Sequence, residues 1–243
     1  MAVKDRPSWP GEAGDFALAG DPDALPLADV VERRPVLRLP PAGAPAEAVA
    51  AERLVVSRRK MAAALGPALA GDADLLRHAA DRVAARLPGA VLSRGAAGWP
   101  FDDIPPRAPL LLPLPLGRPP VPAPRRGLIG VLPLAAAAGG RPLAERRAEL
   151  AALGWRLGID GLDAAALRFV PLAAVAALAD LLLLRWSPAL ARGGDALRGA
   201  DPQSLVLTGC GGADAVRWGR AAGLSLFSGS GAEAALRAGA STP

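Results

Sequence analysis

The sequence predicts an α/β protein, a (β/α)8 barrel of the TIM type whose first half is irregular and proline-rich. Three observations carry that expectation. The chain has 243 residues and is 51% apolar, which suffices for one large core and approaches the roughly 250 residues typical of such barrels. Its second half repeats a unit of helix, glycine, short strand and polar or glycine-rich loop. The strands of that repeat are apolar throughout instead of alternating, the pattern of parallel strands covered on both faces.

Residues 1–31 hold Pro7, Pro10, Gly11, Gly14, Gly20 and Pro22, and read as a linker or loosely ordered arm before a barrel domain over 32–243. A short apolar run at 36–39, closed by Pro40 and Pro41, suits a strand, as does Leu54-Val55-Val56. Leu75, Leu76, Ala79, Ala80, Val83 and Leu87 recur at helical spacing, and Pro88-Gly89 is expected to stop that helix. Ten of the 26 prolines lie between Pro100 and Pro124, so no helix is expected there, and residues 110–116 read as a distorted strand. Residues 127–134 form the next strand candidate.

From Pro142 onward the units are regular. A helix over 143–153 meets Gly154, then a strand over 155–159 ends at Asp160-Gly161. A helix over 170–179 precedes a strand over 181–184, and a helix over 188–198 precedes one over 205–207. The last unit has a helix over 213–222, a strand over 224–227 and a closing helix over 232–238. Chemistry in such barrels sits at the C-terminal strand ends. Here those ends are Glu52 (placed just before its strand), Asp160, Arg185, Thr208 and Ser228, a set poor in carboxylates.

Composition excludes several function classes. One cysteine, Cys210, rules out a disulfide framework, and one histidine, His78, rules out a multi-histidine metal site. The net charge is +5, yet the arginines are scattered and form no stripe, so no nucleic-acid partner is expected. All but Lys4 and Lys60 of the 28 basic residues are arginine, as GC-rich coding would produce. The apolar stretch at 128–138 is shorter than the roughly 20 residues a bilayer helix needs, and no h-region follows the N-terminal charges. The expected location is the cytoplasm, with no membrane partner.

Four blocks of the second half carry a family resemblance. LGWRLGIDGL (153–162), ADLLLLR (179–185), LVLTGCG (205–211) and AGLSLFSG (222–229) resemble, in order, the LG..lalDDFG, vDylKiD, viAEGVE and aG.d..QG blocks of the EAL domain. That domain is the barrel family of cyclic-di-GMP phosphodiesterases. Upstream, Arg34-Pro35-Val36 is similar to its QPI opening, and Glu52-Arg53-Leu54 stands where the signature Glu-Ala-Leu would fall. The similarity runs over about 32–239 and is firm from Leu143 onward. More narrowly, the chain resembles the worn EAL-like domains of alphaproteobacterial regulatory proteins.

The resemblance implies a site in which two divalent metals, held by carboxylates and an asparagine, activate water. Carried over residue by residue, most of that site is missing. Glu52 keeps the signature glutamate, but the asparagine falls near Pro113 and the chain contains no asparagine. The next glutamate falls near Val131 or Leu132. Asp160 keeps the first of the paired aspartates, with Gly161 as its partner. Leu183 stands for the lysine, Arg185 for the aspartate after it, Thr208 and Gly211 for the loop glutamates, and Ser228 for the glutamine. Two hard cations need more anionic oxygens than Glu52 and Asp160 supply. The expectation is a catalytically inactive domain without a cofactor, acting as a signalling scaffold or as a nucleotide- or protein-binding module. Its partner would be a signalling protein, retained cyclic-di-GMP binding is left open, and a homodimer is compatible. The alternative is a weak phosphodiesterase using Glu52 and Asp160 with one metal, and a third reading is a decaying reading frame.

The bland alternatives for single residues are also definite. Asp160 would cap a rim loop, Arg185 would form a rim salt bridge, and Glu52 would pair with Arg58 or Arg59. His78 and Cys210 would be structural, and Trp155, Trp186 and Trp218 would anchor helices.

Overall fold

The computed structural model describes residues 21–39, 49–66, 71–92, 109–114, 122–123, 127–135, 142–193 and 197–240. Eight strands close into one barrel in sequence order: β1 (Val31–Arg38), β2 (Val49–Val56), β3 (Leu110–Pro113), β4 (Leu128–Pro133), β5 (Arg156–Leu162), β6 (Leu181–Arg185), β7 (Leu205–Thr208) and β8 (Leu226–Ser228). Every adjacent pair from β2 to β8 is parallel. Strand β1 is antiparallel to both β2 and β8. The expected set of eight equivalent βα units is corrected on this point: β1 runs the opposite way, so its first residues, not its last, reach the end of the barrel where the other strands finish.

Alternation along the strands divides the core in two. Val36, Ala51, Leu111, Ile129, Val131, Leu181, Leu183, Val206 and Leu226 point inward and fill the barrel with aliphatic side chains. The residues between them, among them Leu54, Leu112, Leu157, Ile159, Leu184, Leu207 and Phe227, point outward under the helices. Both faces of each strand are therefore buried, which is why these strands read as continuous apolar runs.

The helices are α1 (Leu27–Val30), α2 (Arg58–Leu65), α3 (Ala73–Leu92), α4 (Leu143–Ala152), α5 (Leu172–Ala176), α6 (Pro188–Arg192), α7 (Ala213–Ala221) and α8 (Ser230–Ala240). Several differ from expectation. Residues 1–20 of the expected arm lie outside the described residues, but Leu27 and Val30 are buried in the core, and the Arg86 guanidinium donates to the Pro22 and Leu25 carbonyls at 3.1 and 2.7 Å. Helix α2 was not expected; Ser57 caps it, its hydroxyl accepting from the Lys60 amide at 3.4 Å. Helix α3 continues through Pro88, which was expected to end it. An interior proline costs about 3 kcal/mol, and burying Leu87 and Val91 on either side returns roughly 1.5–3 kcal/mol each.

Strand bounds shift as well. Strand β1 begins at Val31, five residues before its expected start, and β2 takes in Glu52, which was expected to precede its strand. Strand β5 runs past Asp160-Gly161 to Leu162, with an irregular register against β6. Helix α5 and helix α6 are each five residues, shorter than expected, because Pro171 and Ser187 set their starts and Gly193 follows α6. The described part of the proline-rich segment holds β3, whose Pro113 sits at its end opposite Val131. Residues 115–116 and the expected loop at Gly139-Gly140 lie outside the described residues.

Candidate functional site: the arginine-lined barrel mouth

The C-terminal ends of β2, β5, β6 and β7 line a cavity of about 770 Å³. Because β1 is reversed, its early residues Glu32 and Arg34 reach this mouth as well. Both are on the inward face, one place to either side of Arg33, which points outward with Pro35 and Leu37. No reading of β1 as a parallel strand would have placed them here, and its direction leaves no mark in composition.

The two surviving carboxylates of the expected set are on opposite faces of the barrel wall. Asp160 points inward and lines the mouth. Its Oδ1 accepts the Gly161 amide at 2.8 Å, and its Oδ2 accepts from the Arg53 guanidinium. Arg53 is inward too, between Ala51 and Val55, and its side chain is only 14% exposed. Burial pushes its pKa below the ordinary guanidinium value, while the charge and hydrogen bond of Asp160 pull it back up. Arginine stays protonated in either case.

Glu52 is the correction. It sits in mid-strand with Leu54 on the outward face, where its side chain is 1% exposed and absent from the mouth. The Arg33 guanidinium donates to its Oε1 at 2.6 Å, and Oε2 has no hydrogen-bond partner. The ion partner is thus Arg33, not Arg58 or Arg59. A one-residue offset decides this, since alternate strand residues face opposite sides. The Glu-Arg-Leu triplet therefore delivers its arginine, not its glutamate, to the mouth.

The other expected residues fall as follows. Arg185 and Thr208 both line the mouth and are paired in the β6–β7 register. The Thr208 hydroxyl donates to the Leu184 carbonyl at 3.3 Å. Arg185 is exposed and forms no ion pair among the described residues, so the expected rim salt bridge is absent there. Ser228 is level with Thr208 on the inward face, 4% exposed, and does not line the described cavity. His78 is exposed on α3, Cys210 is fully buried, and Trp186 packs against Trp218 with ring centroids 5.2 Å apart. Burial pushes the Cys210 thiol up to about 11, so it carries no nucleophile. Asp180, in the second quoted block, works at the other end of β5: it accepts the Leu157 amide at 2.8 Å and Arg147 at 2.7 Å.

Charge at the mouth is unevenly satisfied. Glu32 accepts from Arg34 at 2.9 Å, and bonds from Ser57 and Arg34 hold its carboxyl below the usual range. Asp163 accepts the amides of Ala165 and Ala166 at 3.0 and 2.8 Å. Every carboxylate lining the cavity thus has its donors, whereas Arg58, Arg59 and Arg185 have no carboxylate among the described residues. No group of three or more His, Cys, Asp or Glu among the described residues is placed to hold a metal ion. With Pro113 and Val131 on β3 and β4, and Asp160 bound to Arg53, the described residues do not fit a pair of divalent cations.

No family model and no curated protein matches the chain. Solved structures do. Klebsiella pneumoniae BlrP1 in its calcium/cy-diGMP complex at pH 8.0 aligns with 14% identity and a TM-score of 0.51, over 86% of this chain and 55% of that one. The FimX EAL domain aligns with 13% identity and a TM-score of 0.49, over 86% and 94%. The MucR phosphodiesterase bound to c-di-GMP aligns with 14% identity and a TM-score of 0.49, over 82% and 93%. The chain spans about half of the BlrP1 chain, and that likeness concerns the fold.

Proposed function

We propose that this chain is an EAL-like barrel that works by binding within a signalling system and does not hydrolyse cyclic-di-GMP. The observation that carries the reading is the bond between Arg53 and Asp160. A carboxylate that would be offered to a metal is neutralised by a guanidinium inside the barrel, and Glu52 is on the outer face of the wall. Two-metal hydrolysis needs ions to generate hydroxide and to offset phosphate charge. Replacing acidic ligands by arginine keeps an attraction for anions while removing the means to activate water. The four quoted sequence blocks and the BlrP1 fold support the EAL-like assignment, and BlrP1 itself is described as a cy-diGMP complex.

The test is calorimetric titration of the full chain with cyclic-di-GMP, with and without Mg²⁺ or Mn²⁺, followed by chromatography of the nucleotide. The expected result is intact nucleotide under every condition. Cleavage that a chelator abolishes and that Asp160→Ala removes would establish the weak phosphodiesterase instead.

A further inference from the structure

We infer that the barrel mouth docks an acidic polypeptide segment of a partner protein, a proposal that rests on the binding reading above and names the ligand of that site. Three properties of the mouth lead to it. The first is the surplus charge: all three lining carboxylates already have donors, and Arg58, Arg59 and Arg185 have no carboxylate partner among the described residues. The second is where those arginines stand. Arg58 and Arg59 open α2 directly after β2, and Arg185 ends β6. In the closed order of eight, β2 and β6 are four places apart, hence on opposite sides of the barrel. Eight strands spaced about 4.8 Å and tilted about 36° enclose a ring roughly 15 Å across. An extended segment of about five residues, at roughly 3.3 Å per residue, is long enough to present a carboxylate to each side at once.

The third property is the lining itself. Among the described residues no aromatic side chain lines the cavity, and Val55 and Val56 are its only aliphatic ones. A nucleobase normally finds an aromatic face to stack on when it is held by a protein. Acidic side chains on an extended backbone need none. They need forked donors, which arginine supplies to each carboxylate in pairs. Exposed arginines of this kind mainly set association rate and salt dependence.

The experiment is fluorescence anisotropy of a labelled six-residue peptide of Asp and Glu, titrated with the full chain at 50 and 300 mM NaCl. Controls are the Asn/Gln peptide of the same length and cyclic-di-GMP as competitor. The expected result is binding of the acidic peptide only, weakened at least tenfold by the higher salt. Arg185→Ala and the double variant Arg58→Ala/Arg59→Ala are each expected to weaken it about five- to tenfold, since a segment spanning the mouth uses both sides. Arg220→Ala, an exposed arginine on α7, is expected to leave it unchanged; all four sites are on the surface, so folding is not at stake. Equal binding of the Asn/Gln peptide, or indifference to both mouth variants, would overturn the proposal. So would binding of cyclic-di-GMP without peptide binding, which would leave the binding reading standing. Hydrolysis of the nucleotide would instead remove the reading beneath it, whatever the peptide does.

Discussion

Strands β1 to β4 and strands β5 to β8 build the same wall by different means. In the second half, glycines with positive φ mark the joints: Gly154, Gly199 and Gly223 leave helical segments or turns, and Gly209 and Gly229 follow strand ends. At Gly229 the need is absolute, because φ is +137° and a Cβ would meet the Cys210 carbonyl oxygen at 2.7 Å. The first half has Gly66 and Gly127 in the same role, but prolines also sit within its elements, at Pro35 in β1, at Pro88 in α3 and at Pro113, the last residue of β3. The lesson is that glycine joints define where an element stops, whereas prolines are tolerated only because packing on either side compensates for them.

Substitutions test that contrast, beginning with the largest effect. Gly229→Ala combines backbone strain with a collision against fixed main chain, and should lower unfolding stability by about 3 kcal/mol or more in urea titration. A loss under 1 kcal/mol would mean the two glycine loops slide freely past each other. Glu52→Ala removes the 2.6 Å partner of Arg33 from the outer layer of the first half and should cost about 2 kcal/mol. It should leave ligand binding at the mouth untouched, which a pocket residue would not.

The buried thiol offers a comparison by pH. Cys210 ionises near 11 when folded and near the ordinary value of 9.0 when unfolded, so between those values the unfolded chain has fewer protons. Stability therefore falls as pH rises from about 9 to 11, by roughly 2 kcal/mol, and Cys210→Ser or Ala should flatten that slope. The smallest effect belongs to Pro88→Ala, which restores a helical hydrogen bond at the loss of some ring packing. It should stabilise the chain by about 1 kcal/mol, and destabilisation would show that the ring itself is the anchor.

The regular half was also the legible half. Leu181 to Leu184 and Leu205 to Leu207 read as strands because they are unbroken apolar runs closed by polar or glycine residues. Strand β2 was legible only over Leu54-Val55-Val56, since its first part contains Glu52 and Arg53, and nothing local says that one is buried outside the wall and the other inside it. Of the candidate site, Asp160, Arg185 and Thr208 were found by their place after apolar runs. Arg53 was hidden by a one-residue offset in a motif that looked familiar. Glu32 and Arg34 were hidden by the direction of β1, which only the closed sheet reveals. Arg58 and Arg59 begin a helix whose cap, Ser57, gives a weak signal without the glutamate that usually follows it.

The reversed first strand has a bearing on how the molecule comes together. Its seam joins Leu37 to Phe227 and Arg38 to Leu226, so the ring closes through the pairing of its earliest and latest strands. Until β8 has been synthesised, β1 holds only β2, and two raw sheet edges stand open along a strongly apolar wall. Such distant pairings are slow to form, because the loop entropy is lost before the contacts repay it. A chain cut short before residue 226 would thus have unsatisfied edges, and the ribosome-bound nascent form is the state in which this protein most needs a chaperone's shelter.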